Sequence, residues 1–287
     1  MSEDFFYNEK IKKILKKNHS LYQGEYIYHY TNAQGLLGII ENNEIWFSER
    51  CYLNDVKEED FVNDITWNII KDQQEKKDNT IKQPDISKKQ FVFSTSKEED
   101  LIHQWSYYGN GDAYCIKLNR QKMINILYNE THKEYEQLYY GSVFYLKETK
   151  GKDETLPSKD KTNVFTNTEV IKKSIKECLE ANTNTDEYQK VYEYFCSMIK
   201  QYGHNCEDEY RFVIQLPDDD ERKIFFRVKK GLFVPYIKLK FENQLPIEGI
   251  RIGPGNNEKK AKESVKWILE LNGYQNIQPT YSELKIR

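Results

Sequence analysis

The sequence predicts an α+β fold: a mixed, largely antiparallel sheet with flanking helices and a helical insertion. Three observations carry this. Short runs rich in aromatic and β-branched residues recur along the chain and are bounded by Gly, Asn or Asp, as half-buried strands require. Strands and helices do not alternate regularly enough for a doubly wound parallel sheet. A stretch too polar to pack, 147–163, interrupts the pattern and is followed by two helical segments.

The elements follow in order. Phe5, Phe6, Ile11, Ile14 and Leu15 recur at helical spacing, so 5–17 reads as a basic helix inside an N-terminal unit, 1–24. A single α+β domain over 25–280 opens with a strand from Tyr26 to Thr31. Thr31-Asn-Ala-Gln34 reads as a capping box opening a short helix, which ends at Asn42-Asn43 because Asn tolerates the left-handed cap. A strand from Glu44 to Ser48 comes next. The spacing of Phe61, Ile65 and Ile69 then predicts one amphipathic helix over 56–76. Gln90–Ser96 is a strand, and a helix through Leu101, Trp105 and Tyr108 stops at Gly109. A strand from Ala113 to Leu118, a helix to Tyr128 and a strand from Leu138 to Leu146 precede the flexible linker and helical insertion, 147–205, with helices at 166–181 and 185–202. Strands at 209–216, 223–229, 232–239 and 247–252 and a helix at 257–272 close the domain.

Composition narrows the functional classes. With 43 Lys+Arg against 46 Asp+Glu the net charge is −3, without the basic excess of a protein that neutralises a phosphate backbone along its length. The mean hydropathy of −0.86 is low, but 22 tyrosines count as polar while burying large rings. Five scattered cysteines without a Cys-x-x-Cys pair, no apolar segment near the ~20 residues of a membrane span, and no secretory signal predict a cytoplasmic protein with reduced thiols and no membrane contact. His204 and Cys206 alone do not make a metal site, so no metal is expected.

Three polar sets could carry chemistry. In a strand, i and i+2 share a face, which puts His29 and Thr31 on one side of the first strand with Ile27, and Tyr28 and Tyr30 on the other. A lone strand histidine is commonly structural. Ser94 and Ser96 end a strand, where such residues commonly cap the next helix. Glu207, Glu209 and Arg211 would share a strand face; an exposed ion-paired edge explains them, and so does a reaction with a cationic sugar transition state. Trp105 and Tyr108 share a helix face and read as core, or with Tyr107 as a stacking wall. Ile250-Arg-Ile-Gly-Pro-Gly255 lacks the phosphate-loop pattern and reads as a turn.

Tyr28-His-Tyr-Thr31, Tyr52-Leu-Asn-Asp55, Phe93-Ser-Thr-Ser96, Trp105 to Gly109, Glu207-x-Glu209-Tyr-Arg211 and Ile250 to Pro254 resemble, in that order, the motifs of a widespread bacterial domain-of-unknown-function family, over roughly 25–280. The same pieces resemble the active-site elements of the ADP-ribosyltransferase superfamily. That resemblance implies an ADP-ribosyltransferase-like fold and NAD as the substrate. It implies that His29 holds the adenosine-side ribose with Thr31 beside it, that Ser94 and Ser96 brace the pocket, and that Tyr107 or Tyr108 stacks the nicotinamide. Glu209 would bond the nicotinamide-ribose hydroxyl and stabilise the oxocarbenium-like charge. Glu207 would orient the acceptor, and Arg211 would join the cofactor-binding set. The implied partners are a protein or nucleic-acid acceptor and an inhibitory partner, as for a toxin or antiphage effector. The wide separation of Ser96 from Glu207 makes the region between 147 and 203 an inserted arm.

Two other readings stand beside this one. A non-catalytic module could recognise a nucleotide or a partner through its tyrosines. A metal nuclease using Glu207, Asp208 and Glu209 ranks last, because no accompanying Lys and acid set appears at a useful spacing.

Overall fold

The computed structural model describes residues 22–53, 89–108, 112–131, 137–146, 172–173, 176–177, 185–216, 224–229, 231–255 and 258–284. The expected helices at 5–17, 56–76 and most of 166–181 lie outside these residues, as does the linker at 147–163.

The sheet is open, mixed and largely antiparallel, as expected. Its order is β12(Thr280–Tyr281), β11(Ile247–Ile252), β4(Ala113–Asn119), β1(Tyr26–Asn32), β3(Gln90–Ser96), β2(Glu44–Glu49), β10(Leu232–Lys240) and β9(Phe225–Lys229). Within it, β11 and β12 are the parallel pair. β8(Glu209–Gln215) lies along the other edge of β3 and carries β5(Gln137–Ser142) beyond it. A separate parallel pair, β6(Phe144–Leu146) and β7(Ile199–Gln201), sits off this sheet.

β3 is where the sheet forks. One of its edges is shared: β1 meets it at Tyr28↔Ser96, and β2 meets it at Ser48↔Val92 and Glu49↔Phe91. Between these two pairings the ladder is interrupted by His29. Its Nδ1 lies 2.9 Å from the Ser94 carbonyl oxygen, and its ring packs on Phe93 at 4.6 Å. A side chain thus takes over a bond that a strand amide would otherwise make.

The two faces of the sheet have different fates. Ile27, Phe93, Phe212 and Ile237 belong to the main core. Helices α1(Ala33–Asn42), α3(Arg120–Thr131) and α5(Glu258–Leu271) pack on it through Leu36, Leu127 and Leu269. The opposite face carries α2(Ile102–Tyr108), seated by Trp105 against Tyr30, Ala113 and Cys115. α4(Thr185–Met198) contributes Tyr194 and Phe195, which touch Tyr139 and Phe144.

Local chemistry sets the ends. Asn32, one residue later than the capping box predicts, caps α1 by accepting from the Gly35 amide at 2.8 Å. Asn43 closes that helix with φ 50°, the left-handed cap expected of it. The expected 185–202 helix stops at Met198, and Ile199–Gln201 is a strand. The expected 138–146 strand breaks into β5 and β6 at Val143, whose amide turns to the Glu209 carbonyl at 2.9 Å.

Candidate functional site

A cleft of about 490 Å³ opens on the α2 face of the sheet. Its floor is one row of side chains: Tyr28 on β1 stands beside Ser96 on β3, which stands beside Glu209 on β8. α2 supplies one wall with His103, Tyr107 and Tyr108. The β9–β10 hairpin supplies the facing wall with Lys229, Leu232 and Val234. Lys200, His204 and Glu207 close the carboxylate end.

That end is a charge cluster. Arg211 donates from Nε to Glu209 Oε1 at 2.8 Å and from Nη2 to Oε2 at 3.1 Å, and its Nη1 donates to the Ser197 carbonyl at 2.9 Å. Lys200 Nζ bridges the two acids, 3.2 Å from Glu209 Oε2 and 2.6 Å from Glu207 Oε2. The Ser94 hydroxyl also bonds Glu209. Burial pushes the Glu209 carboxyl up, but Arg211 and Lys200 outweigh it, and the pKa falls to about 2. Glu209 is therefore an anion near neutrality.

The small β6–β7 sheet delivers half of this cluster. Tyr145 and Lys200 are register partners in it. The Tyr145 hydroxyl accepts from the Glu209 amide at 2.8 Å while Lys200 reaches the carboxylate of the same residue. Asp208, with φ 43°, is the bend that brings Glu207 to the same place. Glu207 ends a 3-10 turn, Tyr202–Glu207, and β8 begins at Glu209. The two carboxylates thus converge through a bend and a shared lysine: Glu209 and Arg211 share the β8 face expected of them, whereas Glu207 lies in the turn before the strand and not on that face.

Of the residues singled out by sequence, Ser94, Ser96, Tyr107, Tyr108, Glu207 and Glu209 line one cleft. Ser96 is engaged with backbone, donating to the Glu207 carbonyl at 3.0 Å and accepting from the Glu98 amide at 3.2 Å. Arg211 stands beside Glu209 on the same face of β8, buried and outside the cleft lining. His29 and Thr31 do not line the cleft. His29 occupies the fork, where burial lowers its pKa to about 4 despite the Ser94 carbonyl. Thr31 turns to α1, its hydroxyl 2.0 Å from where a Cβ on Gly35 would lie. The face of β1 turned to the cleft is the opposite one, and Tyr28 and Tyr30 line it.

Four residues had not been singled out: Lys200, His103, Lys229 and, beside the cleft, Arg227. Lys200 is almost fully buried, on the strand read as a helix end. His103 has its Nε2 buried without a partner, and burial lowers its pKa against the pull of Glu207. Ile250 to Ile252 finish β11, and the expected turn is confined to Pro254 and Gly255; Gly253 packs close against Trp105, and Arg251 pairs with Glu99 at 2.8 Å.

The family described as "Protein of unknown function (DUF2971)" matches residues 104–212, a span that runs from the cleft wall at Gln104 through Glu207, Glu209 and Arg211. No curated protein matches the chain. No solved structure matches it either. Among the described residues, no helix is long and apolar enough to cross a membrane, and no cluster of three or more His, Cys, Asp or Glu side chains is placed to hold a metal ion.

Proposed function

We propose that this chain is an NAD-consuming enzyme of the ADP-ribosyltransferase type, transferring ADP-ribose to a protein or nucleic-acid acceptor in the manner of a bacterial toxin or antiphage effector. The observation that carries the reading is the meeting of Glu207 and Glu209 at one end of a cleft walled by Tyr28, Tyr107 and Tyr108. Breaking the bond between nicotinamide and ribose builds positive charge on the sugar, and a fixed anion in a dry site stabilises that charge most. Tyr107 is 54 % exposed and offers its ring to a planar group.

The two carboxylates differ in what they have left to give. A carboxylate has about four lone-pair sites, and Arg211, Lys200 and Ser94 together fill those of Glu209. Its contribution in this reading is its charge, and a ribose hydroxyl that binds it displaces one of these donors. Glu207 receives Lys200 at 2.6 Å and His204 at 3.2 Å. Its remaining lone pairs suit it to orient the acceptor nucleophile. His29, on the other face of β1, lies outside the cleft and takes no part in this reading.

The saturation of Glu209 favours a second reading, in which the cleft binds a nucleotide and performs no chemistry. One experiment separates them: nicotinamide release from NAD by the full chain with protein and nucleic-acid acceptors. Release that falls at least a hundredfold in Glu209→Gln and Glu207→Gln supports the enzyme. Tight NAD binding without turnover, unchanged by Glu209→Gln, supports the binding module, and neither binding nor turnover sinks both.

A further inference from the structure

The cleft has a second charged end, whose cations pair with no acid among the described residues. On β9, Arg227 and Lys229 share the face turned toward the cleft, while Phe226 and Val228, 63 % and 72 % exposed, point away. Leu232 and Val234, the cross-strand partners of Lys229 and Arg227, both line the cleft, as does Lys229 itself. Lys229 Nζ lies 5.4 Å from the centre of the Tyr107 ring. Arg227 stands behind this wall, within the electrostatic reach of Tyr107 and Tyr108.

Arg227 is the anomaly. Its Nη2 donates to Ser48 Oγ at 2.7 Å, and its Nε is shielded from solvent without a partner. Among the described residues no carboxylate pairs with Arg227 or Lys229, whereas Lys97, Lys200, Arg211 and Arg251 each have one. Burying a guanidinium without an anion is costly, and a planar fork with a second cation beside it is suited to phosphate oxygens. Burial lowers the Arg227 pKa, with the tyrosines opposing it.

We infer that Arg227 and Lys229 form an anion site for the phosphate groups of a nucleotide seated in the cleft. The inference rests on the reading above for the identity of that nucleotide as NAD: its diphosphate would lie at the Arg227–Lys229 end and its reacting ribose at the Glu207–Glu209 end. Phosphates held at the cationic end and the ribose at the carboxylates would fix the direction in which the ligand lies.

The test is calorimetric titration of the folded full chain with NAD, inorganic pyrophosphate and nicotinamide riboside, which carries the reacting bond and no phosphate. Pyrophosphate should compete with NAD. Arg227→Gln and Lys229→Met should each weaken NAD and pyrophosphate about tenfold or more, with nicotinamide riboside changed less than twofold. Arg227→Lys, which keeps the charge and loses the fork, should recover part of the loss. Should Arg227→Gln not fold, Lys229→Met and Arg227→Lys carry the comparison. Wild-type affinity in these variants overturns the inference even where NAD is turned over, and so does wild-type chain that binds neither phosphate probe. Pyrophosphate binding that needs Arg227, in a chain that ignores NAD, upholds the anion site and sinks the NAD reading alone.

Discussion

Glu209 and Arg211, two residues apart on β8, face each other through two parallel hydrogen bonds of 2.8 and 3.1 Å, with both side chains almost wholly out of solvent. Removing Arg211 takes two charged donors from a buried carboxylate and leaves it only Lys200 and Ser94. Arg211→Met should therefore lower unfolding stability by about 3–5 kcal/mol, measured by urea denaturation. The Glu209→Gln/Arg211→Met double variant should lose less than the sum of the single losses.

The same pair sets an acid limit. The Glu209 pKa drops from an ordinary 4.5 to about 2 in the fold, so the unfolded chain binds its proton first. The stability this gives is complete above pH 4.5 and is lost as pH falls toward 2. Urea midpoints between pH 5 and pH 2.5 should fall steeply for wild type and less steeply for Glu209→Gln.

His29 adds an earlier step. Burial lowers its pKa from 6.5 to about 4 on folding, against the Ser94 carbonyl that accepts from Nδ1. Its contribution is complete above pH 6.5 and is lost as pH falls through 4. Nuclear magnetic resonance titration of the ring should give the lowered pKa. His29→Phe, which keeps the contact with Phe93 but leaves the Ser94 oxygen unpaired, should cost about 1–3 kcal/mol and remove this step.

Gly253 holds α2 at its distance from the sheet. A Cβ there would lie 2.8 Å from both the Ala113 carbonyl oxygen and Trp105 Cε3. Gly253→Ala should cost about 1–3 kcal/mol and shift the fluorescence of Trp105, the residue whose seating positions Tyr107 and Tyr108.

Much of the architecture was legible because strand chemistry is local. Gln90–Ser96 and Ile247–Ile252 have the ends read from sequence, since aromatic and β-branched runs there meet clear turn residues. Faces were harder. On β1 the alternation puts Ile27, His29 and Thr31 opposite Tyr28 and Tyr30, and both sets mix rings with polar tips, so hydrophobicity does not say which side meets the core. On β9 the pattern misleads, because Phe226 and Val228 are exposed while the cations turn inward. Lys200 was hidden because a three-residue strand following a helix carries no period of its own. The pairing of Glu207 with Glu209 depends on the positive φ of Asp208 and on Lys200, neither of which i, i+2 spacing contains.

The row Tyr28, Ser96 and Glu209 has a consequence for how the site comes into being. Its three members belong to strands distant in the sequence, and β8 reaches β3 only after the chain through α4 has been laid down. Closing such contacts is slow, because the entropy of the intervening loop is lost before the strands reward it. No local fragment contains the cleft floor. During synthesis the cleft therefore cannot form until β8 and the β9–β10 hairpin have emerged, and ligand binding in a refolding experiment should appear with the last phase of sheet closure.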